Sequence, residues 1–198
     1  IFRPGSFHLH LIRDPKLRLI AAPPMRDRVG HQAVVAEIGP TFERSFYAHH
    51  YACSVGRGPQ RAALRHLGWM RRYPYRLGLD IRAYFPSVDL ARLETLLFTR
   101  VRDRRVRDLV SALLEAGSGV WQAPLAVEQF GPVAPGRGLA IGGYLSQWCG
   151  AVYLDGLDQY VKRVLKVPAY LRYMDDFVLF GPDAERLVDH REGIAEWL

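Results

Sequence analysis

Tyr170-Leu171-Arg172-Tyr173-Met174-Asp175-Asp176-Phe177-Val178-Leu179-Phe180 consists of two short apolar runs, Tyr170 to Tyr173 and Phe177 to Phe180, split by Met174-Asp175-Asp176. Short apolar runs separated by a polar turn predict the two strands of a hairpin. An Asp-Asp pair at a hairpin tip is, taken alone, ordinary turn chemistry. A third carboxylate changes the reading if it lies beside the hairpin, which spacing alone does not show: Leu77, Leu79 and Ile81 alternate like a strand, with Asp80 on the opposite face. Carboxylates gathered in a folded core resist ionisation and cost stability unless a cation offsets their charge. Oxygen-only ligands suit Mg²⁺, which keeps water and substrate phosphates in its remaining positions. Two such ions stabilise the attacking and leaving oxygens of an in-line phosphoryl displacement.

Working outward, Phe7 to Leu11 and Leu17 to Ile20 flank Asp14-Pro15-Lys16 and predict two strands joined by a turn, with Pro23-Pro24 stopping the second. From Arg26, the residues Val29, Ala33, Ala36 and Glu37 recur with helical spacing until Gly39-Pro40. A second helix carries Ala63, Leu64, Leu67 and Met70 after the Gly56-Arg57-Gly58-Pro59 loop. Leu90, Leu93, Leu96 and Leu97 predict a helix capped by Asp89, and Val106, Leu109, Val110, Leu113 and Leu114 another that stops before Gly117. Trp121 to Gly138 is rich in Pro and Gly and reads as loop or short strand. Leu145, Trp148, Cys149, Val152, Gly156, Tyr160 and Val164 mark one long helix ending before Pro168, and a last helix starts near Asp183. Strand, helix, helix, strand, strand, helix is the order of an α+β fold, an antiparallel palm-like sheet backed by helices.

The 198 residues are 49% hydrophobic and 24% charged, which excludes a disordered chain and predicts one large domain or two small ones. No run approaches the roughly 18 apolar residues of a membrane span, and Ile1-Phe2-Arg3-Pro4-Gly5 lacks a signal-peptide layout. Cys53 and Cys149 are too few for a disulfide framework or a thiolate zinc site, so a cytoplasmic location is expected. The net charge of +7 rests on 24 Arg and 3 Lys. Arginine forks match phosphate oxygens, which makes nucleic acid the first partner to consider, although such an excess also serves solubility. Arg100, Arg102, Arg104, Arg105 and Arg107 are interrupted by Asp103 and Asp108 and read as a solvated helical face. His49-His50 lacks the partner spacing of a metal site, and the Trp148 side of its helix reads as core.

Tyr173-Met174-Asp175-Asp176 resembles the YxDD signature of reverse transcriptases. Leu79-Asp80-Ile81-Arg82-Ala83-Tyr84-Phe85-Pro86-Ser87-Val88-Asp89 resembles motif A of that family, and Gly138-Leu139-Ala140-Ile141-Gly142-Gly143-Tyr144-Leu145-Ser146-Gln147 its motif B. Asp14-Pro15-Lys16-Leu17-Arg18 and Pro23-Pro24-Met25-Arg26-Asp27-Arg28-Val29 are similar to the first fingers motif, and Tyr51-Ala52-Cys53 with Gly56-Arg57-Gly58 to the second. Motif B carries Ala140-Ile141-Gly142 where many members have Pro-Gln-Gly, and with Ser146-Gln147 this resembles the reverse transcriptases of diversity-generating retroelements. Ala140 and Gly143-Tyr144 depart from that subfamily's pattern.

The resemblance implies the right-hand polymerase fingers and palm, with a ferredoxin-like or RRM-like palm sheet. It implies fingers at 1–76, palm with motif A at 77–116, a fingers-palm connection with the motif B loop at 117–142, and palm with the motif B helix and YxDD hairpin at 143–198. The chain stops at Trp197-Leu198, within the helix after that hairpin, so later palm strands, primer grip and thumb are expected to be absent. The implied catalytic residues are Asp80, Asp175 and Asp176, holding two Mg²⁺ ions (Mn²⁺ can substitute) together with the backbone carbonyl of Ile81. Lys16, Arg18, Phe85, Ile141 and Gly142 are the implied dNTP contacts, with Phe85 stacking under the sugar and excluding a 2′-hydroxyl. Arg57, Ser146, Gln147, Tyr173 and Met174 are implied along template and primer. The implied partners are template RNA, a primer or cDNA strand, dNTPs and a basic accessory protein of the retroelement, with no membrane. The activity expected is error-prone RNA-templated DNA synthesis, since an apolar Ile141 removes a polar restraint near the nascent pair. The alternatives are a group II intron-like, retron-like or antiviral-defence reverse transcriptase, or a non-catalytic RNA-binding palm module.

Overall fold

Short apolar runs build two antiparallel sheets. The computed structural model describes residues 2–13 and 15–198; Ile1 and Asp14, the latter part of the expected first turn, lie outside them. Strands β1 (His8–Arg13) and β2 (Leu17–Ala22) form a hairpin in which Ile12 pairs with Arg18 and His8 with Ala22. Strands β3 (Tyr75–Asp80), β4 (Ala169–Tyr173) and β5 (Asp176–Gly181) form the second sheet in the order β3-β5-β4. The helices are α1 (Met25–Glu43), α2 (Pro59–Met70), α3 (Tyr84–Ser87), α4 (Leu90–Phe98), α5 (Arg104–Ser118), α6 (Pro124–Phe130), α7 (Tyr144–Tyr153), α8 (Asp155–Arg163) and α9 (Ala184–Trp197). No helix among the described residues is long and apolar enough to cross a membrane.

The chain divides into two compact units, one made of the chain up to Arg44 with Ala83–Tyr153, the other of Ser45–Arg82 with Leu154–Leu198. In the first, Leu19 and Ala21 of β2 bury against Trp121, Ala126 and Ala140. Phe42 of α1 meets Trp148 of α7 edge-on at 5.3 Å, and the Tyr84 hydroxyl donates to the Gly150 carbonyl at 2.6 Å. In the second, Ala169, Leu171 and Phe180 on one face of the three-stranded sheet bury against Tyr51, Ala62 and Trp69. The other face meets α8 and α9.

Several elements differ from their expected form. α1 runs through Gly39-Pro40 and ends three residues later at Glu43, although Pro40 has no N–H to give the Ala36 carbonyl. Its buried face is Asp27, His31, Val34, Val35, Ile38 and Phe42, while Val29 is 60% exposed. Asp27 tolerates burial because its Oδ2 accepts from the Gly5 N–H at 2.6 Å. The expected long helix is two, α7 and α8, and the charges mark the second: Asp155 and Asp158 open it and Lys162 and Arg163 close it, complementing its dipole. The expected loop after Trp121 holds α6, started by Pro124 and stopped by Gly131 at φ +79°. Asp89 and Asp183 cap α4 and α9, Asp89 accepting from the Arg92 N–H at 3.0 Å and Asp183 from that of Glu185 at 2.9 Å.

Candidate active site

β4 ends at Tyr173 and β5 begins at Asp176, so Met174 and Asp175 alone make the turn. Met174 adopts a left-handed φ of +57°, uncommon for a residue with a side chain. Its turn is clamped from both sides. The Met174 carbonyl accepts from Arg172 Nη1 at 2.9 Å, and the Met174 Sδ lies 3.8 Å from the Sγ of Cys53, itself left-handed at φ +54°. Two strained residues in contact beside the candidate site are backbone conformations that the surrounding structure must hold in place.

Arg172 is wholly buried, and its charge is answered by Asp158 of α8. Nε reaches Asp158 Oδ1 at 2.8 Å and Nη2 reaches Oδ2 at 2.6 Å, a bidentate pair with side chains 0% and 1% exposed. The Tyr170 hydroxyl donates to the same carboxylate at 2.7 Å, and burial, then the Asp158 charge, holds it protonated well above the usual tyrosine range. Sequence reading missed this pair. Asp158 follows Leu157 in a charged helix and looks like a surface residue, and its partner lies fourteen positions away, so the only signal was an arginine inside an otherwise apolar strand. The 49–51 segment lines the edge of β4, where the Arg172 N–H donates to the His49 carbonyl at 3.1 Å and the Tyr51 N–H to the Arg172 carbonyl at 2.9 Å. The His50 ring is buried with both nitrogens unpartnered, and burial, then Arg172 and Arg57, depress its pKa to about 2.

On this frame Asp80 stands directly opposite Asp176 in the β3–β5 register, and the Ile81 N–H donates to the Asp175 carbonyl at 3.3 Å. Opposed residues on neighbouring antiparallel strands place their Cβ atoms about 4.5–5.5 Å apart. The structure therefore brings together Asp80, Ile81, Asp175, Asp176, Tyr173 and Met174. It corrects one expectation: Asp80 and Asp176 are exposed at the sheet's end instead of buried in a core. Among the described residues no three His, Cys, Asp or Glu side chains form a ready metal cage. An opposed carboxylate pair is the donor set that fits Mg²⁺, which is held by one or two carboxylates plus substrate phosphates and seldom by an all-protein cage. Beside the pair, Gly78, Leu171, Tyr173 and Val178 line a shallow depression of about 280 Å³.

Arg57 donates to the carbonyls of Tyr47 and His50 at 2.7 and 2.6 Å, fixing the loop that carries Cys53. The remaining expected residues lie in the other unit. There Gly138 N–H donates to the Val88 carbonyl at 2.9 Å and Leu139 N–H to the Phe85 carbonyl at 2.8 Å, joining the 85–88 segment to the loop before α7. The Ala21 N–H donates to the Ile141 carbonyl at 2.6 Å, joining that loop to the hairpin that carries the exposed Lys16 and Arg18. Gly142 has φ +134°, and a Cβ there would come within 2.6 Å of the Ala21 carbonyl oxygen, so this loop seats on β2 only as glycine. Phe85 is half-buried, Ser146 is buried in α7 and Gln147 is exposed.

No known protein family matches the chain by sequence, and no curated protein aligns with it. Solved structures do. Telomerase from Candida tropicalis, truncated from its C-terminal domain, superposes with a TM-score of 0.60 over 96% of this chain and 46% of its own, at 12% identity. Telomerase from Candida albicans, in complex with a TWJ fragment of telomeric RNA, gives 0.61 over 96% and 40%, at 11% identity. The fold is reverse-transcriptase-like. A Cas6-RT-Cas1--Cas2 complex gives a looser superposition, with a TM-score of 0.47 over 92% of this chain and 30% of its own at 16% identity. The chain thus spans less than half the length of the telomerase chains it matches.

Proposed function

We propose that the chain is the fingers and palm of an RNA-directed DNA polymerase that extends a primer by nucleotidyl transfer. The observation that carries this reading is Asp80 opposite Asp176, beside a strained turn bearing Asp175 and held by a buried ion pair. Asp80, Asp175, Asp176 and the Ile81 carbonyl are the residues to hold Mg²⁺, or Mn²⁺ in its place. When bound, two such ions supply the positive charge that stabilises the attacking and leaving oxygens of an in-line displacement. Lys16 and Arg18 neutralise the triphosphate of the incoming dNTP. Phe85 packs under its sugar and leaves no room for a 2′-hydroxyl, while Ile141 and Gly142 face the nascent base pair. Tyr173 and Met174 support the primer end, and Arg57, Ser146 and Gln147 support the template.

Motif B favours the diversity-generating retroelement type, because Ile141 replaces a hydrogen-bonding side chain with an apolar one and a looser fit discriminates less between right and wrong bases. In that setting the partners are template RNA, a cDNA strand and a basic accessory protein. The test is extension of a primed RNA template with dNTPs and Mg²⁺, followed by sequencing of the products. Errors concentrated at template adenines support the retroelement type, whereas accurate products keep the polymerase and discard that type. Phe85→Ala should relax discrimination against ribonucleotides by about tenfold or more; unchanged discrimination would remove Phe85 from the sugar pocket.

A further inference from the structure

Helix α2 is apolar on two faces. Its inner face is Ala62, His66 and Trp69, where Ala62 is buried and the His66 and Trp69 rings meet Phe180 of β5 edge-on at 5.1 and 5.5 Å. The outer face centres on Leu67, which has Ala63 four residues before it and Leu64 and Met70 three residues to either side. Residues three and four apart on a helix are surface neighbours, so these four make one continuous apolar seam. All four are exposed, Leu64 by 70% and Leu67 by 53%.

Folding of the chain leaves this seam unused. A surface helix turns one apolar stripe to its own core and polar residues to water, and a helix that is apolar all round is normally buried all round. Single exposed leucines are ordinary, whereas contiguous apolar patches rimmed by polar residues mark interaction sites. The rim here is of one sign. Arg61 lies three residues before Leu64 and Arg71 four after Leu67, so both border the seam, and Arg65 and Arg72 follow on the flank beyond Arg61. Between Glu43 and Asp80 the sequence holds seven arginines and no Asp or Glu. Among the described residues none of these four arginines is in an ion pair.

The chemistry of the face selects its occupant. Aliphatic side chains repeating with the helical period accept the apolar stripe of another helix, whose anchors recur three and four residues apart. Nucleic acid is held differently, by rings that stack on bases and cations that meet phosphates, and the seam offers no ring. Ala63, Leu67 and Met70 also lie outside the cleft that Arg57, Arg61 and Arg65 line. Charge disfavours a second copy of this chain. A two-fold contact sets the same patch against itself, which would crowd Arg61 and Arg71 on their own counterparts in a molecule that already carries +7. Guanidinium groups bordering an apolar stripe are complemented by carboxylates bordering another.

We propose that the outer face of α2 docks an acidic amphipathic helix of a protein partner. The partner's apolar side chains pack on Leu64, Leu67 and Met70, and its Asp or Glu residues pair with Arg61 and Arg71. The contact involves neither the carboxylate site nor a nucleic-acid strand, so it stands or falls apart from the polymerase reading. The partner it calls for has the opposite charge to the basic accessory protein of that reading.

The test titrates the full chain, without Mg²⁺ or dNTP, into a fluorescent peptide with leucines three and four residues apart and glutamates between them, and reads anisotropy. A length of about 20 residues lets the peptide hold a helix in water. It should bind, and a scrambled peptide of the same composition should bind at least tenfold more weakly. Leu64→Gln with Leu67→Gln keeps helix propensity at two exposed positions, so the melting temperature should hold while peptide affinity falls at least tenfold, as expected for two central anchors. Arg61→Gln with Arg71→Gln should weaken binding severalfold and flatten its salt dependence. Absence of binding, or equal binding of the scrambled peptide, would overturn the proposal. So would unchanged affinity in the leucine variant, which would reduce the face to an attraction for any polyanion, nucleic acid included. A dimer in sedimentation that the leucine variant loses would assign the seam to a second copy and overturn it as well.

Discussion

The two hairpins of this chain are both built from short apolar runs and end in opposite conditions. β1 is exposed along nearly its whole length and leads to an exposed tip with Lys16 and Arg18, whereas β4 is buried from Ala169 through Arg172 and its turn is clamped. The difference lies in what stands behind each. β2 buries Leu19 and Ala21 only, while β4 places Arg172 over Asp158 and Tyr170 over the same carboxylate. On the proposed function, a hairpin that reaches for a diffusing triphosphate gains from long exposed cations. On the same proposal, one that holds carboxylates in fixed relation gains from a buried pair that admits a single geometry.

The largest expected effect comes from breaking that pair. Asp158→Ala leaves the Arg172 guanidinium buried without its partner and should cost about 3–5 kcal/mol in chemical denaturation, because an uncompensated buried charge is far costlier than the pair is stabilising. Asp158→Leu combined with Arg172→Met sharpens the comparison, since replacing both charges by apolar groups should recover most of the stability. The Met174 carbonyl would still lack its donor in this double variant. Primer extension should therefore remain impaired while the fold is restored, and full recovery of both would reduce Arg172 to a purely structural role.

The next effect is a pH dependence rooted beside β4. The pKa of His50 is depressed to about 2 in the folded chain from an ordinary value of 6.5, so between those values the unfolded chain binds one proton more at this site. Stability should be complete above pH 6.5 and fall by about 1.4 kcal/mol per pH unit below it from this residue. Denaturation between pH 7.5 and pH 5 checks this, with His50→Phe expected to flatten the slope. An identical slope in the variant would place the acid sensitivity elsewhere. The smallest effect on stability belongs to the open hairpin. Lys16→Gln and Arg18→Gln should change unfolding by no more than about 0.5 kcal/mol, as exposed substitutions do. Both should raise the KM for dNTP. A large stability loss would mean that the tip is not the open element described above.

The β4–β5 turn was legible in the sequence because two short apolar runs flank Met174-Asp175-Asp176, and the Asp80 strand because Leu77, Leu79 and Ile81 alternate with Asp80 on the opposite face. The helices were harder to read. In α2 the apolar residues Leu64, Leu67 and Met70 form a solvent-facing set at 70%, 53% and 41% exposure, and Ala62 makes the buried contact, so periodicity located the helix and misplaced its inner face. In α1 the inner face includes Asp27 and His31, which no apolar count would select. The Asp158–Arg172 pair was invisible for a related reason: two charges read as surface until the fold brings them together and excludes water. Arg57 shows the converse, since a motif arginine suggested a template contact and its guanidinium also secures two carbonyls of its own loop.

On the proposed function, Asp80, Asp175 and Asp176 act together on nucleotides. The direct measurement is Mg²⁺-dependent dNTP incorporation on a primed RNA template by the wild type, Asp80→Asn and Asp175→Asn, with melting temperatures recorded for each. Incorporation by the wild type and its loss by at least about a thousandfold in both variants, at unchanged stability, is the result predicted for residues that hold the metal-dependent site. Retained activity in either variant, or a wild type that binds RNA without extending the primer, would contradict it.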